Sequence, residues 1–417
     1  MSGTTPTSFF TFGMFIIDEI EFYEKYKKPK TNLIGGAGTY AALGARLLIA
    51  CSPSQRLSRS VSWIVDMGSD FPIEIKNTIE TWNTQCIFRD DPKRLTTRAW
   101  NGYGDKDFRE FKYTTPKIRL EVTDLTAAQA LSKSFHMVCS PDRCIDLIDK
   151  LEAERMLLYP MARPPLIVWE PIPDLCTPEQ RSRMHKASLR CFIVSPNREE
   201  LKSFFSKDVA DERTQLELVK MLMCWKDGLH DRRAAPIPVI REGVDGSTAY
   251  LRHPINKQIC QIHVPAYYTP DKSHLVVDPT GGGNTYLGAL ALALTDALWS
   301  QQTYQDIVRY LGMEVELRNL DEHLIDVERL KDHDLVHLPF QITAAMICAT
   351  VAASFAIQQH GVPELNPSNF STATHEKWNE VKFCDRVKSY LEREGESITM
   401  EVRIASQMFD SASKVLQ

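Results

Sequence analysis

Short apolar runs recur along the first 300 positions, most of them flanked by Gly, Pro or Asp: Phe10–Ile17, Ser62–Asp66, Met137–Ser140, Leu166–Trp169, Cys191–Ser195, Val239–Arg241 and Leu275–Val277. Several are apolar throughout rather than alternating, the pattern of strands covered on both faces. Between them lie stretches with helical spacing, among them Tyr40–Ala50, Pro141–Met156 and Arg213–Trp225. This alternation predicts an α/β layered fold with a mostly parallel central sheet, whose sites form at the carboxyl ends of the strands. One segment departs from the pattern. Leu95–Tyr113 alternates, is rich in aromatics and turns at Asn101-Gly102 and Gly104-Asp105. It predicts a small β hairpin standing off the body, either a lid over a cleft or a sheet that joins two copies as a homodimer.

Beyond residue 280 the pattern is helical. Thr285–Trp299 is Ala-rich and core-like, Ser300–Leu338 is a polar insertion, and Gln341–Gln359 returns to core packing. The stretch from Pro363 to Gln417 reads as polar surface helices, so the expected division is a domain over 1–360 and a C-terminal tail over 361–417. Tyr286–Leu294 and Ala344–Ile357, the longest apolar runs, fall short of the ~20 residues that span a bilayer. The N-terminus lacks the basic region of a secretory signal. Across 417 residues, 25% charged side chains and a net charge of −5 carry no footprint for nucleic acid or an anionic membrane. Ten scattered cysteines without a Cys-x-x-Cys pair fit the reduced thiols of a cytoplasmic or nuclear protein.

The segment richest in chemistry is Leu275–Leu290, LVVDPTGGGNTYLGAL. An apolar run ends in Asp278-Pro279-Thr280, and Gly281, Gly282 and Gly283 lead straight into a helix. Three missing side chains let backbone amides converge at a helix N-terminus, a site for phosphate oxygens. It is not a Walker A loop, because Asn284-Thr285 follows where Lys-Ser/Thr is required. A second glycine segment, Gly36-Ala37-Gly38-Thr39-Tyr40-Ala41, satisfies the dinucleotide fingerprint. Residues 24–32 (EKYKKPKTN) predict no strand ahead of it, and no acidic residue lies between Ala41 and Val65 for the ribose.

Taken in order, five segments resemble the signatures of the ribokinase-like (PfkB) carbohydrate kinases. They are Ile34–Leu47 (IGGAGTYAALGARL), Ser62–Phe71 (SWIVDMGSDF), Ser195–Glu200 (SPNREE), Arg241–Gly246 (REGVDG) and Asp278–Asn284 (DPTGGGN). The resemblance covers about residues 10–360 and implies a ribokinase-like three-layer sandwich with a small β lid. It implies ATP-dependent, magnesium-assisted transfer of a phosphoryl group to a hydroxyl of a sugar, nucleoside or similar small molecule. By motif position, Gly281–Gly283 form the anion hole, Asn197 and Glu200 organise magnesium and phosphate, and Gly243 and Gly246 hold the nucleotide. Asp18, Gly35, Gly36 and Tyr40 meet the polyol or nucleoside, while Asp278 steadies the glycine turn.

Three positions depart from the family pattern. Asn284 stands where the family has its basic aspartate, Tyr40 where it has Asn, and Arg241 where it has Thr. An amide orients a hydroxyl but takes no proton near neutral pH, so Asn284→Asp is expected to raise the rate. The departures are similar to those of the fungal maintenance-of-killer proteins, a PfkB-like subgroup linked to the stability of double-stranded RNA virus particles; Gly13–Ile16 (GMFI) and Asp278–Asn284 carry that likeness. The alternative function is therefore a pseudokinase, catalytically impaired and acting as a binding, assembly or stability factor.

Overall fold

Apolar strands need cover on both faces, and the chain supplies it with two helical layers. The computed structural model describes residues 7–24, 27–50, 52, 55–104, 109–205, 212–223, 236–253, 256–295, 301–312, 337–366 and 376–413. Part of the 104–105 turn, most of the polar insertion and the end of the Ala-rich run lie outside them.

The principal strands are β1 (Phe9–Thr11), β2 (Ile16–Phe22), β3 (Lys30–Gly35), β4 (Val61–Gly68), β5 (Gln85–Asp91), β6 (Arg98–Tyr103), β7 (Arg109–Tyr113), β8 (Ser134–Cys139), β9 (Leu166–Pro171), β10 (Ile193–Val194), β11 (Ile237–Arg241), β12 (Ser247–Arg252) and β13 (Ile259–Val264). Nine of them form one sheet in the order β13-β12-β11-β10-β9-β8-β1-β4-β5. All neighbours from β11 to β5 are parallel; β12 and β13 close one edge antiparallel. A second sheet, β3-β2-β6-β7, stands apart as the lid.

Six helices bear on the site: α1 (Ala37–Ile49), α2 (Pro141–Leu158), α3 (Arg198–Phe205), α4 (Gly282–Thr295), α5 (Leu338–Ala356) and α6 (Phe383–Ser413). Side chains of α1, α4, α5 and α6 form one apolar core with the sheet, and those of α2 and α3 help form the other. The two layers make the three-layer α/β sandwich. Helices α1 and α4 touch backbone to backbone, since a Cβ on Gly44 would lie 1.9 Å from the Thr285 carbonyl oxygen and one on Gly288 1.9 Å from that of Ala41. Only glycine permits that approach, and it brings the N-termini of both helices to one end of the sheet.

Several sequence expectations need correction. Phe10–Ile17 is not one strand: β1 stops at Thr11, whose hydroxyl accepts from the Gly13 amide at 3.0 Å, and β2 starts anew in the lid. Gly13 is where the chain leaves the central sheet, packed so closely on Gly38 that a Cβ would lie 2.4 Å from its nitrogen. The lid has four strands, not two, because β2 and β3 join the β6–β7 hairpin. The lysine-rich stretch before Gly36 does lead into a strand, β3, but one belonging to the lid. Leu275–Val277 is not a strand; a 3-10 turn over Pro270–Leu275 precedes it, and Leu275 and Val277 are 45% and 51% exposed. The polar stretch after 363 shows only its outer side as polar: α6 buries Tyr390, Leu391, Ile398, Val402 and Phe409 against α5 and β13. Helix α5 has the length and composition to cross a membrane, yet most of its surface is buried in the core.

Candidate functional site

The glycine run folds as the turn that opens α4, and each glycine is there for a different contact. Gly281 has φ +78°, and a Cβ would lie 2.3 Å from the Tyr40 ring. At Gly282 it would meet Ile357 at 2.7 Å, and at Gly283 the Arg241 Nη1 at 2.3 Å. The Gly282 amide is spent on the Pro279 carbonyl at 3.2 Å, whereas those of Gly281, Gly283 and Asn284 have no acceptor among the described residues. So two glycine amides, not three, face outward, and Asn284 adds a third donor. Asp278 braces the turn from behind. It is buried, and its Oδ1 accepts from the Thr280 amide and from Tyr103 at 2.9 Å each, while His360 sits 3.2 Å from Oδ2. Burial alone would raise its pKa; the bonds from His360, Thr280 and Tyr103 outweigh that and hold it below the usual carboxylate range.

Two cavities meet at this turn. The first, about 660 Å³, is lined by Asp18, Gly36, Tyr40, Thr280, Gly281 and Asn284, with Phe111 and Tyr113 of β7 as its lid. Asp18 lies within β2 rather than at the end of a central strand, and its carboxylate packs where a Gly35 Cβ would be, 1.9 Å from Oδ2. Gly35 is therefore behind Asp18 and forms no wall. Asn101 Nδ2 donates to Asp18 at 3.3 Å, and Lys117, Arg119 and Arg143 bring cations to the same cavity. The second cavity, about 300 Å³, is lined by Asn197, Arg241, Gly243, Gly246, Gly282 and Gly283, with Tyr267, Val276 and Ile357 supplying apolar walls. Val244, half exposed, adds an apolar edge open to solvent.

Behind the turn lies an ionic cluster. Glu170, the penultimate residue of β9, accepts from Asn284 Nδ2 at 2.5 Å and from Arg241 Nη2 at 2.8 Å, with His136 Nε2 at 3.7 Å. Arg241 Nη2 also reaches Glu200 Oε2 at 3.3 Å and the Ser195 carbonyl at 3.0 Å. Asn197 and Glu200 bond each other reciprocally, the Asn197 amide to Glu200 Oε2 at 2.7 Å and the Glu200 amide to Asn197 Oδ1 at 2.8 Å, which caps α3. Two carboxylates thus share one guanidinium, and their other partners split them. Desolvation would raise Glu170, but Arg241 and His136 hold it low; burial, with the Glu170 charge added, pushes Glu200 up to about 7 against the pull of Arg241.

No protein-family model matches the chain. Protein MAK32 of Saccharomyces cerevisiae is 33% identical over 405 residues, 94% of this chain and 94% of that protein. The chain belongs to the MAK32 family. Its backbone matches ribokinase from Giardia lamblia with a TM-score of 0.60 at 14% identity, over 93% of this chain and 99% of that one. It also matches an Escherichia coli ribokinase II solved with ATP and Mg2+, TM-score 0.52 at 14% identity, over 93% and 99%. At such identities the likeness concerns fold, so this MAK32 relative carries the ribokinase-like sandwich.

Whether ATP and magnesium fit this MAK32-family site is a question for its own residues. The second cavity offers apolar walls, a glycine loop and, at one end, outward amides; these suit a nucleotide's base and phosphates. Magnesium fits poorly. Among the described residues no three of His, Cys, Asp and Glu gather as a metal site. Glu200 Oε2 is already bonded to Asn197 and Arg241, leaving only Oε1, and the guanidinium beside it brings the charge a metal would bring.

The sequence reading missed Glu170, His136 and Tyr103. Glu170 had a signal, a carboxylate directly after the apolar run Leu166–Trp169, where strand ends carry chemistry. Tyr103 and His136 had none, because their partners lie 175 and 34 positions away in sequence.

Proposed function

We propose that the chain binds ATP in the smaller cavity and a polyhydroxylated small molecule, a sugar or nucleoside, in the larger one, and transfers a phosphoryl group between them slowly. One observation carries this reading: the glycine turn is a shared wall, with Gly281 and Asn284 facing the acceptor side and Gly282 and Gly283 the nucleotide side. ATP, when bound, supplies the γ-phosphoryl; its bond to the ADP oxygen breaks as one to the acceptor oxygen forms. The amides of Gly281, Gly283 and Asn284 steady the charge on the transferring group. Asp18 accepts acceptor hydroxyls, and the Tyr113 edge of the lid excludes water. No base stands at the Asn284 position, so the acceptor proton passes to an oxygen of the transferred phosphoryl group as the new bond forms. With its Nδ2 committed to Glu170, Asn284 turns its carbonyl oxygen to the hydroxyl, which it orients without deprotonating.

That same Asn284–Glu170 bond favours the second reading, a binding or assembly factor that keeps the pocket and not the chemistry. Calorimetry with ATP, followed by phosphoryl-transfer assays over a panel of sugars and nucleosides, separates the two. The kinase reading expects ATP binding with slow turnover; binding without turnover supports the second. No ATP binding at millimolar concentration would remove both.

A further inference from the structure

Arg241 is the group in the site with most left to give. It sits at the carboxyl end of β11, and among the described residues every polar contact of its side chain runs through a single nitrogen, Nη2, to Glu170, Glu200 and the Ser195 carbonyl. Nε is buried without a partner, and Nη1 makes no hydrogen bond among the described residues. Nη1 lies directly on Gly283, where even a Cβ would approach within 2.3 Å, and the side chain lines the smaller cavity. The guanidinium is thus gripped at Nη2 by two carboxylates and holds Nη1 beside Gly283. Nη1 keeps its own N–H bonds for phosphate oxygens, and anchoring the group in advance lowers the ordering cost of binding.

We propose that Arg241, and not a divalent cation, neutralises the phosphate chain of a nucleoside di- or triphosphate at the glycine turn. The proposal rests on the nucleotide reading above and adds that binding is metal-independent. The guanidinium already engages the carboxylate that could organise magnesium, so a dication there competes with it and gains only Glu200 Oε1. The arrangement also accounts for glycine at 283, since any larger residue would displace the guanidinium from the phosphate path.

The test is calorimetry of the full chain with ATP, ADP and adenosine, each in excess EDTA and in excess magnesium. The expected result is an ATP Kd that changes by less than about threefold between the two conditions. Arg241→Gln is expected to weaken ATP at least about tenfold while leaving adenosine within about twofold, adenosine serving as the check that the pocket survives. Loss of about tenfold or more in EDTA overturns the proposal and leaves the nucleotide reading intact. Absence of ATP binding under both conditions overturns that reading, and the proposal with it. The wild-type comparison decides even if the variant unfolds.

Discussion

Asn284 and aspartate differ by one group, and in this chain the neighbour decides what the difference does. The family comparison by motif alone makes Asn284→Asp a gain of activity, but Glu170 accepts from Asn284 Nδ2 at 2.5 Å. An aspartate there would set two carboxylates in contact, and one would hold a proton at neutral pH. We expect Asn284→Asp alone to turn over no faster than wild type at pH 7 and to lose thermal stability as pH rises from 5 to 8. The exchanged pair, Glu170→Gln with Asn284→Asp, restores the hydrogen bond and supplies a base. Its transfer rate should rise about 10²-fold or more over wild type, measured by single-turnover assay. At this scale the glycines and Asn284 were legible because each sits in a motif of fixed spacing. The roles of Glu170 and of Arg241 Nη1 were not, since they come from residues on other strands.

Elements carry the next level, above all the lid. Strand β6 ends in Tyr103, whose hydroxyl donates to Asp278 Oδ1 at 2.9 Å and lies 3.0 Å from Thr280 Oγ1, so one lid strand is latched to the glycine turn. Tyr103→Phe removes that latch, with a cost on the order of 1 kcal/mol. Amide exchange in β6 and β7 should quicken severalfold, and unchanged exchange would count against the latch. Asp278→Asn probes the other side by pH. Because the folded carboxyl ionises more readily than the unfolded one, its contribution is complete above the unfolded pKa and fades as pH falls through the folded value. The stability gap between wild type and Asp278→Asn, read from urea midpoints, should therefore be full at pH 7 and shrink toward pH 3. The lid was half visible in sequence. Leu95–Tyr113 carried its hairpin pattern, while β2 hid inside an apolar run that merges with β1. The segment Leu275–Val277 misled for the opposite reason, since Val276 lines a cavity and its two neighbours are exposed rather than filling a sheet.

For the molecule as a whole, alternation of strand and helix was enough to give the layered fold, because a buried parallel sheet has few other solutions. The end of the chain was harder to read. Helix α6 is polar by average composition, yet one stripe of it, from Tyr390 to Phe409, closes the core over α5 and β13. Removing residues from 383 onward should uncover the face of α5 that α6 covers and yield an aggregating or unfolded protein, seen as loss of the cooperative thermal transition; a soluble, cooperatively melting truncation would contradict this. A consequence follows for how the molecule is born. Helix α5 leaves the ribosome before the last helix that covers it, with a surface oily enough for a lipid bilayer, so during synthesis one greasy side faces water until α6 arrives.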